Sequence, residues 1–177
     1  MTATRTPPAD SFAADPFDPE ALNRYGLARF AFGDLAAALS AFQRAADLDP
    51  DLGPAWNNAG MVARQLGQPS EAIRFFNCAA AARSDDPQPL LNRAAAQEDL
   101  GDAAAALADY DRAAELAVGE YRALAHIRRG MTLVLLNRAA EAEADFARAR
   151  ELSPALWPLV RIVLDLAAAR ATPPSTN

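Results

Sequence analysis

The sequence predicts an all-α array of four helix pairs stacked in series. The first observation is a stretch that returns at near-constant spacing. FGDLAAALSAFQRA (32–45) is followed by LGQPSEAIRFFNCA (66–79), LGDAAAALADYDRA (100–113) and LNRAAEAEADFARA (136–149), displaced by 34, 34 and 36 residues. The second is composition: half of the 177 residues are apolar and Ala is abundant, which favours helices and lets their axes approach closely. The third is what is scarce. Eight Gly and few β-branched residues are too few for an all-β or dinucleotide-binding α/β chain.

Aligning the copies gives units 19–52, 53–86, 87–122 and 123–156. A small residue recurs in each first helix at Gly26, Gly60, Ala94 and Gly130. A turn follows at Gly33, Gly67, Gly101 and Asn137, residue types that tolerate left-handed φ. Each second helix then shows Ala38, Ala72, Ala106 or Ala142. Four residues on comes Phe42, Phe76, Tyr110 or Phe146, and three further Ala45, Ala79, Ala113 or Ala149. Spacings of four and three put Ala, aromatic and Ala on one helical face, the aromatic as knob and the small residues as holes. The two surplus residues of the last interval fall near AVGEYRA (117–123), where Gly119 suits a longer turn between helices.

Residues 1–18 are rich in Pro, Asp and Ala without helical period and read as a disordered tail, as does 171–177. Between them, 157–170 (WPLVRIVLDLAAAR) reads as a capping helix with Pro158 in its first turn, where proline is welcome. Its apolar arc is wider than one covered face requires, so its far side either packs on the preceding helix pair or makes a homodimer contact, for which Leu159, Ile162 and Leu166 are the candidates.

These residues resemble the tetratricopeptide repeat family, whose pattern is Trp-x2-Leu-Gly-x2-Tyr, then Ala-x3-Phe, Ala and Pro over thirty-four residues. The fullest match is WNNAGMVARQLGQPSEAIRFFNCA from Trp56, and the resemblance covers roughly 19–156. The fourth unit departs with His126 at the Trp position and the third with Arg93 at a Leu position. The resemblance implies a right-handed α-solenoid whose first helices line a concave groove, used for binding another protein and not for chemistry.

On that frame, Arg24, Asn58, Asn92 and Arg128 recur as groove rungs. First helices about 10 Å apart would meet roughly every third residue of a chain advancing about 3.1 Å per residue. An Asn amide both donates to and accepts from a peptide backbone, and Arg takes a carboxylate. Leu27, Phe30, Asn57, Met61, Leu91, Ile127, Met131, Val134 and Leu135 are expected on the same face, with Glu98 and Asp99 favouring a basic ligand side chain. The stretch HIRRGMTLVLL (126–136) is apolar on nearly every side and needs another cover. A family subgroup grips chaperone carboxylates with Lys, Asn and Arg. This chain has no Lys at all, so no such clamp is expected.

Other functions fit poorly. Cys78 and His126 are each the sole residue of their type, and nucleotide or zinc-protease motifs are absent, so no enzyme, metal or cofactor is expected. A formal charge of −6 disfavours nucleic acid and anionic membranes. Without a signal-like or membrane-spanning segment, a cytoplasmic location is expected. The remaining readings are an adaptor or scaffold that binds a peptide or helix, a small assembly chaperone shielding apolar segments, and a module that assembles with itself.

Overall fold

The computed structural model describes residues 15–158 and Arg161. Its order is α1 (Pro19–Ala31), α2 (Leu35–Leu48), α3 (Gly53–Gln65), α4 (Pro69–Ala82), α5 (Gln88–Asp99), α6 (Ala103–Leu116), α7 (Gly119–Leu135) and α8 (Ala139–Leu152), then a 3-10 turn (Pro154–Leu156). Among the described residues every regular element is helical, as an all-α solenoid of helix pairs requires. Two compact units divide at Asp109 and Tyr110, inside α6.

The sharp turn inside each repeat follows from four matching residues. Gly33, Gly67, Gly101 and Asn137 all have positive φ, between 59° and 80°. The residue after each donates its backbone N–H back to the first helix: Asp34 to Arg29 O, Gln68 to Ala63 O, Asp102 to Gln97 O and Arg138 to Leu133 O, at 2.9–3.0 Å. A left-handed residue with this six-to-one bond satisfies helix carbonyls that would otherwise be orphaned. Asp34 and Asp102 then cap the second helices through their carboxylates, on Ala37 N and Ala105 N. Gly-Asp is therefore a stop signal and a start signal in adjacent residues.

Close packing within a pair comes from the small residue and the aromatic sixteen positions later. A Cβ placed on Gly26, Gly60 or Gly130 would lie 2.5–2.7 Å from the ring of Phe42, Phe76 or Phe146. The knob-and-hole reading of these positions is what the backbone shows. Around Phe42 and Phe76 the core is mostly Ala, with Ala38, Ala59, Ala63, Ala72 and Ala96 joined by Val62 and Phe75. Trp56 stacks on Phe75 at 6.1 Å between centroids and donates its indole N–H to Pro50 O.

A second correspondence, also sixteen residues apart, holds a different answer in each repeat. Tyr25 and Ala41 occupy it first, then Ala59 and Phe75, then Arg93 and Asp109, then Arg129 and Asp145. Arg93 grips Asp109 through two nitrogens at 2.5 and 2.7 Å, and its third reaches Asn77 on the preceding second helix. Arg129 does the same with Asp145, and its third nitrogen bonds Asp111, which stands 34 residues after Asn77. The departure at Arg93 is thus one half of a built pair that ties a first helix to two second helices.

The fourth repeat differs from expectation in one respect. The connection before it is short, only Ala117 and Val118, with Gly119 (φ 55°) already opening the next helix. The surplus residues lengthen α7, which has 17 residues against 13 in α1. The expected capping helix and the candidate dimer residues Leu159, Ile162 and Leu166 lie outside the described residues.

Candidate functional site

In the N-terminal unit, α1, α3 and α5 stand side by side and are joined by three side-chain links of one register. Asn58 donates to Asn23 Oδ1 (3.0 Å), Asn92 donates to Asn57 Oδ1 (2.9 Å), and Arg64 meets both oxygens of Asp99 (2.6 and 3.2 Å). Every link spans 35 residues, one more than the repeat. The reason is geometric. A first helix in a stack shows one side to the helix before it and another to the helix after it. Neighbouring residues differ by about 100° around the axis. Asn58 therefore looks back to α1 while Asn57 looks forward to α5.

That arrangement revises the expected ladder. Equivalent positions were expected to form one row, whereas the rungs here join adjacent registers, and the amides of Asn58 and Asn92 each already have a partner on the preceding first helix. An amide has further donor and acceptor capacity beyond one such bond. Arg24 is exposed and turned toward the acidic first turn of its own helix, 3.7 Å from Asp18 and 3.5 Å from Glu20. Leu91, at 8% exposure, and Ile127, at 7%, are buried in packing and so cannot line a groove as expected. Their side chains fill space between helices, where a purely positional reading placed them on the open face. Asp99, expected to favour a basic ligand, is neutralised by Arg64. Glu98 beside it is half-buried.

What remains open is an apolar floor. Leu27 is 46% exposed and Met61 41%. A cavity of about 450 Å³ is bordered by Phe30, Met61, Arg64, Gln65, Phe76, Asn92 and Asp99. A smaller recess of about 40 Å³ shares Phe30 and Met61 with it and is lined further by Leu27, Phe42, Asn58 and Val62. Asn58 and Asn92 therefore border the same open face. Sites that hold ligands commonly have this makeup, a mostly apolar wall with a few fixed polar groups.

The C-terminal unit has its own surface. Arg128 is exposed, Met131 is half-buried, and Leu133 is buried. The broad apolar character of this helix narrows to Val134, Leu135 and Leu136, with Leu135 80% exposed. A cavity of about 400 Å³ there has Val134, Phe146, Ala147 and Trp157 in its wall, with Glu143 and Arg150. Nearby, His126 and Arg129 both donate to the buried Asp145. Burial alone would raise that carboxyl, but the hydrogen bonds from His126 and Arg129 outweigh it and hold the group below the ordinary carboxylate range. His126 is thus a packing residue with a partner. Among the described residues no group of three or more His, Cys, Asp or Glu is placed to hold a metal ion, and no helix is long and apolar enough to cross a membrane.

Comparison with known proteins agrees with this architecture. Residues 9–52 and 53–86 each match a tetratricopeptide repeat model. The chain belongs to the tetratricopeptide repeat family. It is 36% identical over 95 residues to human tetratricopeptide repeat protein 36, covering 52% of this chain and 50% of that protein. It is 30% identical over 143 residues to protein FlbA of Caulobacter vibrioides, covering 81% of this chain and 24% of that protein. The chain therefore spans half of one curated relative and about a quarter of the other. Among solved structures, MamA superposes with a TM-score of 0.71 at 19% identity, over 77% of this chain and 79% of MamA. YrrB, described as a tetratricopeptide repeat protein with an unusual peptide-binding site, gives 0.66 at 24% identity, over 79% and 71%. At these identities the likeness is one of fold. The tetratricopeptide repeat is a protein–protein interaction fold, and this chain has that fold.

Proposed function

We infer that the chain is a non-catalytic adaptor or scaffold that takes a peptide segment of another protein along the α1–α3–α5 face. The observation that carries this reading is the exposed pair Leu27 and Met61, set on an apolar floor between polar cross-links. Large apolar side chains left open to water cost free energy that a partner's cover recovers. Met61 also adapts its shape to different side chains. YrrB, similar in fold, has a peptide-binding site, which supports the same use here. Nothing on this face has the makeup of a nucleophile with a base beside it.

The direct test fixes photo-crosslinking side chains at position 61 and, as control, at exposed position 112, and identifies the captured segments. Segments that crosslink only from position 61, and are lost on Leu27→Glu, are the expected result. Equal labelling from both positions would remove the reading.

A second reading has its own observation, the exposed Leu135 and Leu136 beside the Val134, Phe146 and Trp157 cavity. Assembly of the chain with itself through this end would cover it. Sedimentation of the full chain across a concentration series tests it: a rising mass that Leu135→Glu abolishes is expected, and a monomer throughout refutes it.

A further inference from the structure

We propose that the chain's own residues 159–170 continue the helix that opens at Trp157 and seat Val163, Leu166 and Ala167 in the cavity beside α7 and α8, in the register that α3 keeps on α1 and α2. The inference stands apart from the adaptor reading, which concerns another face. It gives this cavity an occupant from the same chain in place of a second copy.

The cavity lies on a face that the first repeat also has. Its wall, about a volume of 400 Å³, includes Val134, Ala139, Ala142, Glu143 and Phe146. Each stands 104 residues after its counterpart among Phe30, Leu35, Ala38, Leu39 and Phe42, which is the displacement of three successive repeats. In the first repeat that face is covered, because Ala59, Val62 and Ala63 of α3 join the same residues in one core. The residues 104 places after those three are Val163, Leu166 and Ala167. One more first helix in the same register therefore brings apolar side chains where α3 brings its own. The later repeats keep the geometry this requires: Arg129 reaches Asp111 as Arg93 reaches Asn77.

The described residues at the start of the segment follow that register. Trp157, Pro158 and Arg161 are helical. Pro158 stands 104 places after Pro54 in the first turn of α3, where proline is tolerated, and both are exposed. Arg150 stacks on the Trp157 ring at 5.6 Å and so ties the start of the segment to α8. Asp165 and Arg170 correspond to Met61 and Leu66, each 41% exposed, so those two charges fall at open positions. Leu164 corresponds to Gly60, which faces Phe76 of its own pair, so the seat on the preceding pair does not involve it.

The tether decides between this segment and a second copy. Trp157 is part of the cavity wall and Pro158 follows it directly. A short tether holds a segment at an effective concentration on the order of millimolar, which a second copy at micromolar concentration does not match. Apolar side chains leaving water supply the free energy.

The test joins α7 to the segment. Arg64 and Asp99 meet across stacked first helices at a separation of 35 residues, and the same offset puts Ala169 beside Val134. The variants are made in the full chain carrying Cys78→Ser. The pair Val134→Cys/Ala169→Cys should react with a short bifunctional thiol reagent several-fold faster than Val134→Cys/Ala168→Cys, whose second thiol is turned by about 100°. Mass spectrometry of the digested product should place the link within one chain at every protein concentration. Links between chains that grow with concentration would put a second copy in the cavity and overturn the proposal. Equal rates for the two pairs, or no link at all, would overturn it as well. Val163→Asp gives an independent readout: the melting temperature should fall and amide exchange in α8 should quicken, while Asp165→Ala changes neither. Equal effects of these two substitutions refute the register. None of these outcomes bears on crosslinking from position 61, which tests the adaptor reading by itself.

Discussion

Replacing Arg93 by Ala removes the cation from a pair whose carboxylate is almost wholly buried: the Asp109 side chain is 9% exposed, that of Arg93 23%. Breaking a buried pair by removing one partner costs about 3–5 kcal/mol, mostly the penalty of a stranded charge. Water reaches part of Arg93, which places the expected loss at the lower end, about 3 kcal/mol. At roughly 2–4 °C per kcal/mol for a chain of this size, the melting temperature should fall by about 6–12 °C. The repeats themselves supply the complementary experiment. At the matching positions the second repeat carries Ala59 and Phe75, with Phe75 stacked on Trp56. Leu90 stands where Trp56 does, so Arg93→Ala with Asp109→Phe installs an apolar pair in an apolar setting. Well-packed apolar groups commonly replace buried ion pairs at no cost. The double variant should therefore regain at least about 2 kcal/mol of the single variant's loss. Thermal unfolding followed by circular dichroism measures both, with amide exchange in α5 as a local check. A single-variant loss under about 1 kcal/mol, or a double variant no better than the single, would refute the reasoning.

Gly60→Ala gains about 1 kcal/mol of helix propensity but drives a methyl into the buried Phe76 ring, an overpacking cost of about 1–3 kcal/mol. Net destabilisation is expected in urea unfolding, and a trimmed ring in Phe76→Leu should remove the penalty of the added methyl. Asn137 holds φ at 59°. Asn137→Gly should leave thermal stability equal or slightly higher, while the β-branched Asn137→Val should cost about 1–2 kcal/mol. Asp145 has a depressed carboxyl in the folded chain, so its unfolded form binds the extra proton in acid. Its contribution is complete above the unfolded value, about 4, and disappears as pH falls through the lower folded value. Melting temperatures measured against pH should fall less steeply below about pH 4 in Asp145→Asn, from a lower neutral plateau.

The sequence by itself determined the helix pairs and the turns within them. Both are local: a period of thirty-four residues, an Ala-aromatic-Ala face, and a Gly or Asn where the backbone must turn left-handed. It also placed Leu27, Asn58, Met61 and Asn92 on one side, because a helical face is a matter of spacing. Which side chains meet across helices was decided only in three dimensions. The pairing of Asn57 with Asn92 and Arg64 with Asp99 depends on a one-residue offset between stacked helices. That offset exists only once each first helix has a neighbour on both sides. The adjacent letters Asn57 and Asn58 held the clue, one facing each way. Burial of Leu91 and Ile127, and the Arg93 and Arg129 clamps reaching Asn77 and Asp111, have the same origin. Their partners belong to other helices, and the free energy of such contacts resides in the stack and in no single segment of the chain.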